Sequence, residues 1–149
     1  MNRIRPWLFI GKYRDTIDYS SLKADEIGAM LLLAEPVDHP GIVSLYLDVD
    51  DGVPLAGDAL KRGINSVLEQ KQAGRSTLIA CGAGQSRSVV FGIAALKEGE
   101  GLSLMDALYA IRSQHSDAEP HRVLRESLWR HYGENVPYFD MLNVLEMKR

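Results

Sequence analysis

The sequence predicts an α/β fold: a small, mainly parallel sheet flanked by helices, in a single domain spanning residues 1–149. Three observations carry this expectation. Short apolar runs of strand length recur in the first half, at 7–11, 29–34, 42–47 and 76–81. Stretches of helical length dominate the second half, and one of them, 57–73, stands between two of the strands. Strands separated by helices read as crossover units, which build parallel sheets covered on their faces.

Taken in order, Trp7-Leu8-Phe9-Ile10-Gly11 reads as a short strand stopped by glycine. Asp18, Ser20 and Ser21 offer caps for a short helix expected to run to about Ile27, before Gly28. The unbroken apolar run 29–34 suits a strand buried on both faces. Pro36 and His39-Pro40-Gly41 break the chain, and 42–47 gives the next strand. In 57–73, Leu60, Ile64, Val67 and Leu68 share one helical face while Lys61, Arg62, Glu69 and Lys71 lie away from it. Gly74 closes that helix and a strand leads to Cys81. Beyond it, Val89-Val90-Phe91 and Ile93 to Leu96 leave no polar face, so this helix is expected at the centre of the core. Ser103-x-x-Asp106 has capping-box spacing and opens a helix carrying Leu104, Leu108 and Ile111. A further helix begins near Pro120 with Leu124, Leu128 and Tyr132, and a last amphipathic segment starts at Pro137.

The composition excludes several classes. Hydrophobic content of 46% and charged content of 25% are those of an ordinary globular protein. A net charge of −3 offers no attraction for nucleic acid or an anionic membrane. With one cysteine no internal disulfide can form, and no Cys/His cluster has zinc spacing. The apolar run at 7–10 is too short for a signal peptide, and no stretch reaches membrane-spanning length. These features point to the cytoplasm, where a thiol stays reduced.

The chemistry concentrates in residues 76–92. A strand ends at Cys81, the small or uncharged Gly82, Ala83, Gly84, Gln85 and Ser86 follow, and Arg87-Ser88 opens the apolar helix. A loop between a strand end and a helix N-terminus aims backbone N–H groups at one point, reinforced by the helix dipole. Such a cradle suits a phosphate dianion, and Arg87 can add a bidentate grip on two of its oxygens. The same field favours the thiolate of a cysteine at its mouth. The plain alternative is that Cys81 is a small buried hydrophobe ending a strand. Gly at +3 and Arg at +6 would coincide by chance for roughly one cysteine in 300.

Cys81-x5-Arg87 with Gly84 and Ser88 resembles the signature loop His-Cys-x-x-Gly-x-x-Arg-(Ser/Thr) of the cysteine-dependent protein tyrosine phosphatases. The ending Gly84-Gln85-Ser86-Arg87-Ser88 is similar to the dual-specificity branch in particular, and the likeness extends over roughly residues 5–132. Ala80 stands where that family has histidine. The resemblance implies a phosphatase that needs neither metal nor organic cofactor. Cys81 is the implied nucleophile, residues 82–87 hold the phosphate, and Ser88 donates to the sulfur as it leaves in the second step.

A leaving alkoxide or phenoxide needs a proton, and the carboxyl-rich stretch Asp48-Val49-Asp50-Asp51-Gly52-Val53-Pro54 can supply it. Alone it would read as a solvated turn. Asp50-x-Gly52-Val53-Pro54 resembles the acid loop Trp-Pro-Asp-x-Gly-x-Pro of the tyrosine phosphatases, without its Trp-Pro, and favours Asp50 as the general acid. Alignment to the dual-specificity pattern Ile-Pro-Val-x-Asp makes it Asp51 instead. His115 and His121 fall where the family has a surface turn and are assigned no chemistry; Trp129 is assigned to packing.

The expected substrate is a phosphorylated protein or a small phosphate monoester, since the loop carries no lysine of the kind that family members acting on multiply phosphorylated lipids often use. The alternative is a non-catalytic phosphate-binding module on the same fold, for which Ala80 is the main support. A rhodanese-like sulfur carrier or arsenate reductase is disfavoured by Gly84, Ser88 and the acidic stretch.

Overall fold

A computed structural model describes residues 1–135 of the chain. Its sheet has the order β1-β2-β5-β3-β4: β1 (Asn2–Arg5), β2 (Leu8–Lys12), β3 (Ile27–Leu32), β4 (Val43–Tyr46) and β5 (Ser76–Cys81). All pairings are parallel except β1 with β2, so the sheet is mainly parallel as expected. The helices are α1 (Tyr13–Thr16), α2 (Tyr19–Ala24), α3 (Gly57–Gln72), α4 (Arg87–Glu100), α5 (Leu104–Gln114) and α6 (Arg122–His131).

Strand alternation divides the apolar residues between two layers. Leu8 and Ile10 of β2, Leu31 of β3 and Ile79 and Cys81 of β5 face one side, where α3, α4, α5 and α6 cover them. Phe9, Met30, Leu32, Leu78 and Ala80 face the other side, with Leu22 of α2 and the partly buried Val37 and Ile42. Residues Ser88 to Leu96 of α4 are all buried, which fits a helix without a polar face. The Ser103 side chain accepts from the Asp106 amide and starts α5 as the spacing predicts.

Three boundaries differ from expectation. Strand β1 has one buried residue, Ile4, so it carries no alternating signal; it is an edge strand held to β2 by backbone pairing. Helix α2 stops at Ala24 rather than near Ile27, because Glu26 takes a left-handed φ of 58° and turns the chain into β3. The one-turn helix α1 was not expected from the sequence either. The segment expected from Pro137 lies outside the described residues.

β5 is the central strand, so Cys81 sits at the carboxyl end of the middle of the sheet with α4 beginning six residues later. This is where open α/β sheets bind ligands.

Candidate active site

The loop after Cys81 is held from behind by its carbonyls. Gly82 O accepts from the Tyr13 amide at 3.3 Å, Gln85 O from the Glu119 amide at 2.8 Å and Ser86 O from the Val90 amide at 3.0 Å. Gly84 O lies 2.7 Å from Nε2 of His115. A carbonyl can only accept, so His115 donates there and carries its proton on Nε2. Among the described residues no amide of Gly82 through Ser86 donates to a protein acceptor. Gly84 is buried and Ser86 half-buried, while Gly82, Ala83 and Gln85 are exposed, so these donors are open to solvent and to a bound anion. Gly84 makes the turn possible: its φ is +73°, and a Cβ there would lie 2.9 Å from the backbone carbonyl of Gly11.

Cys81 is buried, with Sγ 3.3 Å from Oγ of the fully buried Ser88. Arg87 opens α4, and its Nη1 donates to Val49 O at 2.9 Å and, more weakly, to Leu33 O at 3.4 Å. The guanidinium is thereby anchored to the stretch that carries the aspartates, with Nη2 placed over Gly82. Cys81, Ser86, Arg87 and Asp51 line one cavity of about 360 Å³, whose far wall is the segment that leads into α6.

The two candidate acids part here. The chain after β4 continues beside β3, with the Leu47 amide donating to Leu32 O and the Val49 amide to Leu33 O. Leu47 and Val49 are buried, so strand parity turns Asp48 and Asp50 outward. Asp50 lines a neighbouring depression with Val53 and Pro54 rather than the Cys81 cavity. The Tyr46 hydroxyl is pushed up from the ordinary tyrosine range first by desolvation, then by Asp48 and Glu35, and last by Asp50. The chain then turns at Asp51-Gly52, Gly52 taking φ +77°, and brings Asp51 to the cavity. There Ser86 Oγ donates to Asp51 Oδ1 at 2.8 Å and accepts from the His121 amide at 2.8 Å. The far end of the stretch is fixed where the Leu55 amide donates to Ser127 Oγ of α6 at 3.0 Å. Asp51 thus lines the Cys81 cavity and Asp50 the neighbouring depression.

No family model matches the chain. Human dual specificity protein phosphatase 22 is 31% identical over 124 residues, covering 80% of this chain and 67% of the relative. The chain belongs to the dual-specificity phosphatase family. Its fold is shared with solved members at lower identity. Human DUSP28 matches with a TM-score of 0.82 at 24% identity, covering 88% of this chain and 94% of that one. DUSP15 matches with a TM-score of 0.82 at 24% identity, covering 99% and 95%.

Within this dual-specificity phosphatase frame, Ala80 is the departure. It is buried on the face opposite Cys81, among Phe9, Leu22, Met30, Leu32 and Leu78, and its carbonyl accepts from the Leu33 amide at 2.9 Å. The position is filled by apolar packing, and the back of the loop is held by His115 and the backbone contacts instead. The sequence assigned His115 and His121 no part here. His115 braces Gly84, and His121 caps α6 by accepting from the Val123 amide through Nδ1, with its ring beneath Gly52. The brace leaves no spacing signal, because His115 reaches Gly84 only through the packing of the fold, whereas the His121 cap is local but comes from a residue outside the usual capping set. Trp129 is buried in the core as expected. Among the described residues no helix is long and apolar enough to cross a membrane.

Proposed function

We propose that this member of the dual-specificity phosphatase family hydrolyses phosphate monoesters, in proteins the esters of tyrosine, serine or threonine, through a phosphocysteine intermediate. The observation that supports it most is the convergence of Cys81, Arg87 and Asp51 on one cavity at the end of the central strand, with Ser88 buried behind the Cys81 sulfur. Cys81 attacks phosphorus in line as the thiolate, forming the S–P bond while the ester P–O bond breaks. Asp51 gives its proton to the departing oxygen and then takes one from the water that cleaves the S–P bond. Arg87 and the amides of Gly82, Ala83, Gly84, Gln85 and Ser86 hold the equatorial oxygens and bind the transition state more tightly than the ground state. Ser88, 3.3 Å from the sulfur, donates to it as it leaves with the electron pair. No step calls on a metal or organic cofactor. The thiol must stay reduced, which makes the cytoplasm the compartment that suits the reaction.

One observation favours a second reading, a phosphate-binding module without turnover: Ala80 replaces the family histidine and leaves the back of the loop to other contacts. The two readings separate in one experiment. Turnover of an aryl phosphate in the presence of a chelator, abolished in Cys81→Ser while that variant still binds tungstate, supports the phosphatase. Tungstate binding by the wild-type chain without any turnover supports the module. Hydrolysis retained in Cys81→Ser refutes the covalent route.

A further inference from the structure

On one side the sheet ends in β4, which pairs with β3 and, among the described residues, with nothing else. The ladder runs past the end of the strand, since the Leu47 amide donates to Leu32 O and the Val49 amide to Leu33 O. Backbone groups alternate in direction along a strand, so those of Ser44, Tyr46 and Asp48 point away from the sheet along a free edge. Proteins usually blunt such an edge with lysine, proline or a bulge. The opposite edge, β1, carries Arg3, Arg5 and a shift of register. β4 pairs in unbroken register, and 43–49 contains neither lysine nor proline. Val43 and Tyr46 are exposed on it, at 47% and 39%. The charge around this edge has one sign. From 27 to 60 the chain has no lysine or arginine, while Glu35, Asp38, Asp48, Asp50, Asp51 and Asp58 all fall there. Downstream the edge opens into a depression of about 190 Å³, where the carboxylates of Asp48 and Asp50 stand beside the apolar Val53, Pro54, Leu55 and Ala59. Among the described residues neither carboxylate has a hydrogen-bond donor or a cation as partner. The next residue, Asp51, lines the Cys81 cavity, so the depression adjoins the reacting centre.

We propose that the β4 edge and its depression dock an extended, basic segment of a phosphoprotein substrate, with a lysine or arginine of that segment held by Asp48 and Asp50. This rests on the reading of the Cys81 cavity as the phosphate site, and it assigns that site a substrate class: phosphoproteins with basic residues flanking the target. The outward N–H and C=O groups of Ser44, Tyr46 and Asp48 supply main-chain pairing, which carries affinity, and the depression reads one side chain, which carries specificity. A long cationic side chain fits the depression in both parts: its apolar stem lies on Val53, Pro54 and Leu55 while its head meets the two carboxylates. A second copy of the chain suits the edge less well, because it would set carboxylates against carboxylates.

The test uses the whole chain and three phosphotyrosyl peptides of one length, with lysine, neutral or glutamate flanks. Both binding to Cys81→Ser and hydrolysis by the wild type are measured. The expected order is lysine, then neutral, then glutamate, with about fivefold between lysine and neutral flanks for two exposed ion pairs. The preference fades as salt rises from about 0.05 M to about 0.5 M. Asp48→Asn and Asp50→Asn each reduce it about twofold and the double variant removes it, whereas Asp58→Asn, outside the depression, leaves it intact. Tyr46→Lys puts a cation on the edge and weakens the lysine peptide most. Asp48, Asp50 and Tyr46 are exposed, so these variants are expected to fold. Methylating alternate backbone nitrogens of the lysine peptide weakens its binding severalfold, which a purely ionic contact would not show. Equal treatment of the three peptides, selection of glutamate flanks, a preference that survives the double variant, or no peptide binding overturns the proposal. Self-association of the chain that Tyr46→Lys disperses, without a peptide preference, gives the edge to a second copy and overturns it too. Absence of turnover with the peptide preference intact in binding counts against the phosphatase reading and leaves the docking surface standing.

Discussion

The sharpest prediction concerns two adjacent aspartates that the sequence alone could not rank securely. Asp51→Asn keeps the size of the side chain and an oxygen that can still accept from Ser86 at 2.8 Å, so the turn at Gly52 is expected to hold. What is lost is the proton. General-acid assistance is worth about 10²–10⁴-fold, which raises the barrier by about 3–5 kcal/mol. Asp50→Asn alters an exposed carboxylate in the neighbouring depression and should change kcat less than about twofold. Ser86→Ala falls between them: it loses both hydrogen bonds of the hydroxyl, and the one that holds Asp51 is worth about 0.5–1.5 kcal/mol, or roughly two- to tenfold in kcat. The assay is kcat for a series of aryl phosphates of graded leaving-group basicity. Asp51→Asn should slow the poorest leaving groups most, because these need the proton most. The reverse ranking of the two aspartates would return the role to Asp50, and two mild effects would remove the acid from this stretch.

Three further outcomes follow from the same geometry. Gly84→Ala forces a Cβ at φ +73° to within 2.9 Å of the Gly11 backbone, so it should lose tungstate binding and turnover together while the urea midpoint falls by the equivalent of about 1–2 kcal/mol; unchanged oxyanion affinity would contradict the loop geometry. Ala80→His places an imidazole among Phe9, Leu22, Met30 and Leu32, and overfilling that layer should destabilise the chain by about 1–3 kcal/mol in chemical denaturation; a variant as stable as the wild type would show that the layer can accept the family residue. Ser103→Ala removes the cap on α5 far from Cys81, so it should lower stability by about 1 kcal/mol and leave kcat unchanged; a loss of activity without a loss of stability would contradict this.

The elements legible in the sequence were those whose signal is local. The apolar face of α3, the wholly apolar run of α4 and the Ser103 cap of α5 each reside in a dozen residues or fewer, and the structure returns them nearly as read. The strand–loop–helix passage from Cys81 to Arg87 was legible for the same reason, its spacing being set by one strand end and one helix start. What escaped depends on partners distant in the chain. β1 is a strand only because β2 pairs with it, and the brace from His115 to Gly84 spans 31 residues. The placement of Asp50 was within reach: Leu47 and Val49 alternate with Asp48 and Asp50, and that parity turns Asp50 outward, whereas the glycine–proline spacing ignored it.

The covalent role of Cys81 is the claim on which the rest depends, and trapping the intermediate tests it most directly. Ser88→Ala removes the hydroxyl 3.3 Å from the sulfur and should slow the second step, so that phosphoenzyme accumulates during turnover of a good aryl phosphate. Rapid quenching followed by peptide mass analysis should locate the phosphoryl group on Cys81, and Cys81→Ser in the same background should show none. A phosphoryl group trapped on any other residue would contradict the account, as would turnover by a chain that lacks Cys81.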